Sequence, residues 1–347
     1  MRTLRTITVV GCHAEGEIGD VVTGGIMPPA GATMFEKMET MRRDHDAVRR
    51  FLICEPRGHV GRHVNIVVPP TRADCDAGVI IMEPTEYVPM SGSNLICTVT
   101  VLLETGIVAM REPETVVMMD TPAGKVRAVA ACRDGKCVSV TFENVPSFVD
   151  RLDAMLEVEG FGTVAADIAF GGMFYAIVDA TKLGFAVVAD EARELAVLGE
   201  RVRLAARAQL EVVHPGNPGI AGVSIVQLNR PFAGAGAVTR NTCIVAPGRS
   251  DRSPTGTGTC ARMAVLHARG QMRVGETLVH ESLIGSRFTG RILGETALAG
   301  RDAILPSLTG RAWITGLHTY LLDPADPYPA GYLVADTWGV TGRATQD

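Results

Sequence analysis

Aromatic residues are scarce in this chain of 347 residues: Phe, Tyr and Trp together make up 5%. That leaves no platform on which nucleic-acid bases would stack. Basic runs are missing as well, and the formal net charge is −5, which argues against a nucleic-acid partner. No apolar stretch approaches the roughly 20 residues of a spanning helix, so no membrane partner is expected. The opening MRTLRTITVVGCH starts basic, but polar and charged residues arrive too early for a secretory signal. The cysteines (Cys12, Cys54, Cys75, Cys97, Cys132, Cys137, Cys243 and Cys260) form no C-x-x-C pair and no zinc-type spacing. No metal is therefore expected. Fourteen methionines without a dense cysteine framework fit a reducing, cytoplasmic setting. What is present is globular: 46% hydrophobic and 20% charged residues, enough for two cores of ordinary size.

Two stretches read as versions of one another. Met90–Gly106 is MSGSNLICTVTVLLETG and Pro254–Gly270 is PTGTGTCARMAVLHARG. Laid without a gap, Ser91 falls on Thr255, Gly92 on Gly256, Ser93 on Thr257, Val101 on Val265, Leu102 on Leu266 and Gly106 on Gly270. Each opens with small hydroxyl and glycine residues suited to a helix N-terminus. Each runs on for about three largely apolar turns and stops at a glycine suited to the C′ position. The offset of 164 residues is close to half the chain, as two similar lobes would give. A helix N-terminus binds anions, carboxylates included, through its free N–H groups. Taken alone, the pair is also compatible with two ordinary capped helices. Neither stretch has the lysine of a P-loop or a G-x-G-x-x-G, and Ser91 and Ser93 lack a nucleophile elbow.

The rest of the chain supplies strands around these two helices. Thr6–Val10 reads as a strand ending at Gly11, with His13, Glu15, Gly16 and Glu17 in a loop. Phe35–Cys54 reads as one amphipathic surface helix, and strands follow near Val64–Val68 and Gly78–Met82. His59 and His63 are four apart, but Gly58 and Gly61 break any helix, so both read as loop or strand-edge histidines. Thr115–Met119, Lys125–Ala130 and Cys137–Glu143 suit antiparallel strands, and apolar Gly162–Val178 opens the second lobe. Asp190–Leu210 is a surface helix, Val223–Leu228 and Thr242–Val245 are strands, and Val274–Val340 is mostly strand.

Further blocks carry a family resemblance: HAEGEIGDVVTGG (His13–Gly25), EPRGH (Glu55–His59), EPTEYVPMSGSN (Glu83–Asn94), HPGNP (His214–Pro218) and SDRSPTGTGTCARMAVLHARG (Ser250–Gly270). With them the chain resembles the proline racemase family, whose fold is that of diaminopimelate epimerase. The resemblance implies an α+β fold of two pseudo-symmetric lobes, each a strand-rich half-barrel around a central helix. Residues 1–160 would form the N-terminal lobe, with the segment near 325–347 a candidate to rejoin it, and 161–347 the C-terminal lobe. The active site would lie in the cleft between them, and no cofactor is implied. In the family a thiol at each helix start flanks the Cα of a proline-type substrate. Ser91 and Thr255 stand at those two positions here, and Ser93 stands where a histidine is common. Asp251 matches the aspartate that contacts the ring nitrogen. Gly92, Ser93, Gly256 and Thr257 match positions whose N–H groups hold the carboxylate, and His214 matches a histidine near the substrate. A homodimer is an admissible assembly.

The two departures bear on the reaction. A cysteine has a pKa of about 8.5, whereas an aliphatic hydroxyl is a far weaker acid and its neutral form a far poorer base. Racemisation needs a competent group on both faces of Cα. Elimination from trans-3-hydroxy-L-proline needs one, because the Cα proton and the 3-hydroxyl share a ring face. Threonine at the second position also resembles the family's trans-3-hydroxy-L-proline dehydratases. The expectation is a cofactor-independent dehydratase giving Δ1-pyrroline-2-carboxylate, with Ser91 as base and Thr255 on the inert side. The alternatives are a 4-hydroxyproline 2-epimerase or proline racemase, and a non-catalytic relative that binds imino acids.

Overall fold

The computed structural model describes residues 2–338, which fall into two compact units. One takes the chain up to Val140 together with the part from Arg311 onward, and the other is Thr141–Gly310. The division expected near residue 160 thus lies twenty residues earlier, and the return expected near 325 begins at 311. Strand pairing is the reason. Ser147–Val158 runs antiparallel to Gly162–Phe170, which ties the stretch before residue 160 to the second unit. Ala312–Leu322 lies antiparallel along Arg5–Ala14, which returns the late strand to the first.

In the first unit, Arg5–Ala14 and Glu17–Gly24 form a hairpin rather than a strand and a loop. Its turn residues Glu15 and Gly16 both have positive φ (49° and 99°), as a two-residue primed turn requires. Glu17–Gly24 pairs in parallel with Arg62–Val68. The crossover is not the single helix expected but two, Met34–Asp44 and Ala47–Ile53. Asp46 stands at the N-cap position of the second, where its carboxylate holds Arg49 at 2.7 Å rather than bonding the first turn. The break lets Met38 and Met41 from one helix, and Phe51, Leu52 and Ile53 from the other, join Val64, Ile66, Ile80 and Met82 in one core. The amphipathic character expected of this stretch holds: Met34, Met38 and Met41 of the first helix are buried, while Glu36, Arg42, Arg43 and Asp44 are exposed. Arg62–Val68 continues antiparallel to Ala77–Met82, and that strand pairs in parallel with Glu114–Thr121.

The crossover between those last two strands is the helix Gly92–Glu104. Every residue of it except Glu104 is buried. It packs against strands 5–14, 17–24, 62–68, 77–82, 124–133 and 312–322. A helix apolar on all sides is stable only when enclosed in this way. Strand Ala77–Met82 is buried throughout for the matching reason, being covered on both faces.

The second unit repeats the scheme. A hairpin (162–170 with 174–179) leads to a parallel pairing with Ile225–Asn229, reached through the helix Ala192–Gln209. Val238–Val245 follows antiparallel, then pairs in parallel with Thr277–Glu281. The crossover is again an enclosed helix, Gly256–Ala268, packed against strands of its own unit. Pairing of Arg301–Gly310 with Ser147–Val158 then closes the second unit's strands around that helix. Both central helices span thirteen residues, and the glycines after them, Gly106 and Gly270, have φ of 75° and 67°. Beyond Leu322 the expected strand gives way to turns and the short helix Ala335–Trp338. The part of that expectation past 338, with the segment to 347, lies outside the described residues.

Candidate active site

Ser91 is the N-cap of the first central helix, in extended conformation (φ −143°, ψ 125°). Its side chain makes no hydrogen bond to the helix's own first turn. Its Oγ instead accepts a hydrogen bond from Asn94 Nδ2 at 2.9 Å, one turn along the same face. The cap hydroxyl is therefore not spent on the N–H groups of Gly92 and Ser93.

A polar cluster lies behind this pair, in the interior of the first unit. His63 Nδ1 is 3.2 Å from Asn94 Nδ2, and Asn65 Nδ2 donates to Asn94 Oδ1 at 2.9 Å. His63 Nε2 faces Glu17 Oε1 at 3.6 Å, and Nδ1 lies 3.9 Å from Glu83 Oε1. Glu17, His63, Glu83 and Asn94 are all at most 2% exposed. Two carboxylates and an imidazole so deeply buried stay in place only through mutual contact and hydrogen bonding. His63, expected at a loop or strand edge, is on a central strand inside this cluster.

Thr255 is the N-cap of the second central helix, and its backbone is unusual. Its φ of 63° and ψ of 112° hold a β-branched residue where such residues are rare, at a cost of about 1–3 kcal/mol. Its Oγ1 donates to Asp251 Oδ2 at 2.5 Å. Asp251 Oδ1 accepts from the backbone N–H of Ser253 at 2.8 Å and from its hydroxyl at 2.9 Å. All three donors favour the ionised carboxylate. Although 4% exposed, Asp251 lines a hollow of about 320 Å³ within the second unit, with Ser250, Arg252 and Ile284.

Buried partners fix the backbone around Thr255. Asn241 Nδ2 donates to the Pro254 carbonyl at 3.0 Å and lies 2.7 Å from His280 Nδ1. Thr259 Oγ1 donates to the Thr255 carbonyl at 2.9 Å. His280 is fully buried, and desolvation, aided by the nearby Arg262 charge, lowers its pKa to about 3, so the ring is neutral. Thr257 is anchored by Tyr175, hydroxyl to hydroxyl at 2.6 Å. A Cβ on Gly171 would fall 2.1 Å from the Thr257 carbonyl oxygen, so only glycine lets that turn pass beneath the helix start. Cys243 is fully buried near Thr255, and burial pushes its thiol pKa well up, so it is no thiolate.

The structure thus brings Ser91, Gly92 and Ser93 together at one helix start, and Asp251, Thr255, Gly256 and Thr257 at the other. The contacts of His214 are with aromatic rings and its own loop. Its ring packs edge-on to Phe170 and Phe148, its Nδ1 accepts from the Gly216 N–H, and burial lowers its pKa. Sequence reasoning missed Glu17, His63, Glu83 and Asn94 in one unit, and Asn241, Thr259 and His280 in the other. Among the described residues no three His, Cys, Asp or Glu side chains are grouped to hold a metal ion. Among the same residues no helix is long and apolar enough to cross a membrane.

Comparison with known proteins gives a consistent result. A family model described as proline racemase matches residues 9–333. A solved hydroxyproline epimerase from Agrobacterium vitis, with bound trans-4-hydroxy-L-proline, is 41% identical; the match covers 99% of this chain and 100% of that one, with a TM-score of 0.94. A probable proline racemase from Agrobacterium radiobacter, with bound carbonate, is also 41% identical, over 97% of this chain and 99% of that one, at a TM-score of 0.93. A predicted epimerase from Pseudomonas aeruginosa shares the fold at 14% identity, over 91% of this chain and 100% of that one, with a TM-score of 0.54.

Proposed function

The chain belongs to the proline racemase family, and from that premise we propose that it removes the Cα proton of a hydroxyproline-type imino acid and expels water, as a trans-3-hydroxy-L-proline dehydratase. The observation that carries this reading is the opposite bonding of the two cap hydroxyls. Ser91 Oγ accepts a hydrogen bond from Asn94, whereas Thr255 Oγ1 donates one to the Asp251 carboxylate. A donor aimed at an oxygen stabilises its ionised form, so Ser91 is suited to act as a base. For Thr255 to give up its proton, an alkoxide would have to form 2.5 Å from a carboxylate. Like charges at that distance oppose it strongly.

In the proposed reaction, ionised Ser91 takes the Cα proton as the C3–O bond breaks, and returns that proton to the leaving hydroxide. Water departs, the Ser91 alkoxide is restored, and the enamine tautomerises to Δ1-pyrroline-2-carboxylate. The Cα proton and the 3-hydroxyl share a ring face, so one group serves both transfers. The first N–H groups of either helix, at Gly92 and Ser93 and at Gly256 and Thr257, offer donors to the substrate carboxylate as charge builds there. Asp251 takes the ring ammonium by a charge-assisted hydrogen bond.

A second reading, epimerisation at Cα of 4-hydroxyproline, is favoured by the relatives. The 41% identical structure with trans-4-hydroxy-L-proline is described as a hydroxyproline epimerase. The deciding experiment incubates the protein in D₂O with trans-3-hydroxy-L-proline, trans-4-hydroxy-L-proline and L-proline, and follows Cα and product by NMR. Loss of water from the 3-hydroxy isomer supports the dehydratase. Deuterium at Cα with inversion, and no water loss, replaces it with the epimerase. Binding without either outcome leaves a non-catalytic relative.

A further inference from the structure

Serine is a weak base in water, and the surroundings of Ser91 are built from its own unit outward. Asn94 is fully buried. Its amide nitrogen has two hydrogens and two neighbours, Ser91 Oγ at 2.9 Å and His63 Nδ1 at 3.2 Å. Its Oδ1 faces Asn65 Nδ2 at 2.9 Å, and that same nitrogen donates to the Asp20 carbonyl at 3.2 Å. Each contact restricts the next. The Asp20 carbonyl accepts only, so Asn65 presents its NH₂, and Asn94 must answer with its oxygen. A flipped Asn94 would set NH₂ against NH₂ there, at a cost that buried polar groups rarely bear. The Asn94 NH₂ therefore points to Ser91 and His63 together. His63 can accept only if Nδ1 is bare, which puts its proton on Nε2, the nitrogen facing Glu17. Space for the amide comes from Gly19, where a Cβ would fall 2.8 Å from Asn94 Oδ1.

We propose that Asn94 and His63 are positioning residues: the bare Nδ1 of His63 and the amide of Asn65 lock Asn94 so that a hydrogen-bond donor always rests on Ser91 Oγ. The catalytic consequence rests on the reading of Ser91 as base, and the geometry does not. Protonating His63 on both nitrogens would oppose the Asn94 NH₂ with a second donor, so the lock holds only while the ring is neutral. His63 faces Glu17 and Glu83 from the two elements beside its own strand, and Asn94 from the helix.

Two measurements test the lock. In the first, ¹⁵N-histidine NMR of the wild-type protein at neutral pH should show a His63 ring with Nδ1 unprotonated and Nε2 protonated. A proton on Nδ1 overturns the proposal whatever the protein catalyses. In the second, Asn94→Asp keeps the shape but turns the donor into an acceptor. Its kcat should fall about 100-fold with KM little changed, the scale for removing one donor from a reacting oxyanion. The rise of kcat with pH should also move to higher pH, because an unsupported Ser91 ionises less readily. A merely structural role would lower the melting temperature and the yield of active protein without moving that profile. If Asn94→Asp folds and its pH profile coincides with the wild type's, the proposal fails while Ser91 remains the base. If Ser91→Ala retains turnover, it is the reading of the base that fails. Should Asn94→Asp not fold, the tautomer of His63 alone decides.

Discussion

Replacing Thr255 with alanine separates the one-base and two-base readings, and the structure sets the size of the effect. The substitution removes the hydroxyl that donates to Asp251 Oδ2 at 2.5 Å. A hydrogen bond to a charged group is worth about 1.5–3 kcal/mol. The low end applies, because Asp251 keeps both donors from Ser253. Alanine at φ 63° relieves part of the strain of a β-branched side chain, a fraction of about 1–3 kcal/mol. The net loss of stability should be about 1 kcal/mol, near a 2–4 °C fall in melting temperature. Turnover of trans-3-hydroxy-L-proline should stay within about tenfold of wild type, since the effect is confined to positioning. A general acid or base would instead cost about 10²–10⁴-fold. Scanning calorimetry with NMR-monitored turnover reads both quantities. If Thr255→Ala costs as much turnover as Ser91→Ala at an unchanged melting temperature, Thr255 carries a proton and the one-base scheme is refuted.

Ser91→Ala should reduce turnover at least 100-fold while calorimetry still detects hydroxyproline binding, because no backbone N–H is removed; substantial residual turnover would place the base elsewhere. Asp251→Asn should act mainly on KM, raising it about tenfold or more through the loss of a charge-assisted contact, and an unchanged KM would remove Asp251 from the substrate. His280 has its pKa lowered to about 3 by burial, from an ordinary value near 6.5. Its stabilising contribution is thus complete above pH 6.5 and is lost as pH falls from 6.5 toward 3, by about 1.4 kcal/mol per pH unit. Urea unfolding between pH 7 and 4 should show that slope in the wild type and a shallower one in His280→Gln; equal slopes would mean a hydrated imidazole. All cysteines except Cys75 are buried, and none caps a central helix. Iodoacetamide should accordingly label Cys75 and leave turnover intact, and inactivation by one adduct elsewhere would expose a reacting thiol.

The central helices were legible because their signals are local. Small cap residues, three apolar turns and a C′ glycine recur at one offset, and the helices begin and end at matching positions. Asp251 and Thr255 could be found for a related reason, lying four residues apart in one unusual motif. The polar network behind Ser91 was hidden because it is assembled from separate strands. Glu17, His63 and Glu83 meet only once parallel pairing sets Gly19 beside His63. A strand pattern marks which residues alternate, not which face becomes interior. His63 was further obscured by Gly58 and Gly61, which rule out a helix but also suggest a loop. Asn94 carried a readable sign, since i and i+3 positions share a helix face. Its place at the end of the EPTEYVPMSGSN block gave no hint that its amide would reach back to Ser91.

The two units solve the same problem with different atoms, and the difference has chemical content. Each encloses a helix, leaves its cap side chain unbound to the first turn, and sets a buried His–Asn pair behind the cap. In one unit the asparagine grips the cap side chain, Ser91 Oγ; in the other it grips the preceding backbone carbonyl, Pro254 O. The second arrangement leaves Thr255 Oγ1 free to turn to Asp251, and it does so with its proton. A fold built on matched helix starts could support matched proton transfers, yet here the matching stops at the backbone. On the proposed reading, the hydroxyl that accepts is the one to lose its proton, and the hydroxyl that donates is the one to keep it. That is the asymmetry a one-sided elimination requires, and an exchange of roles between two faces of Cα would need it undone.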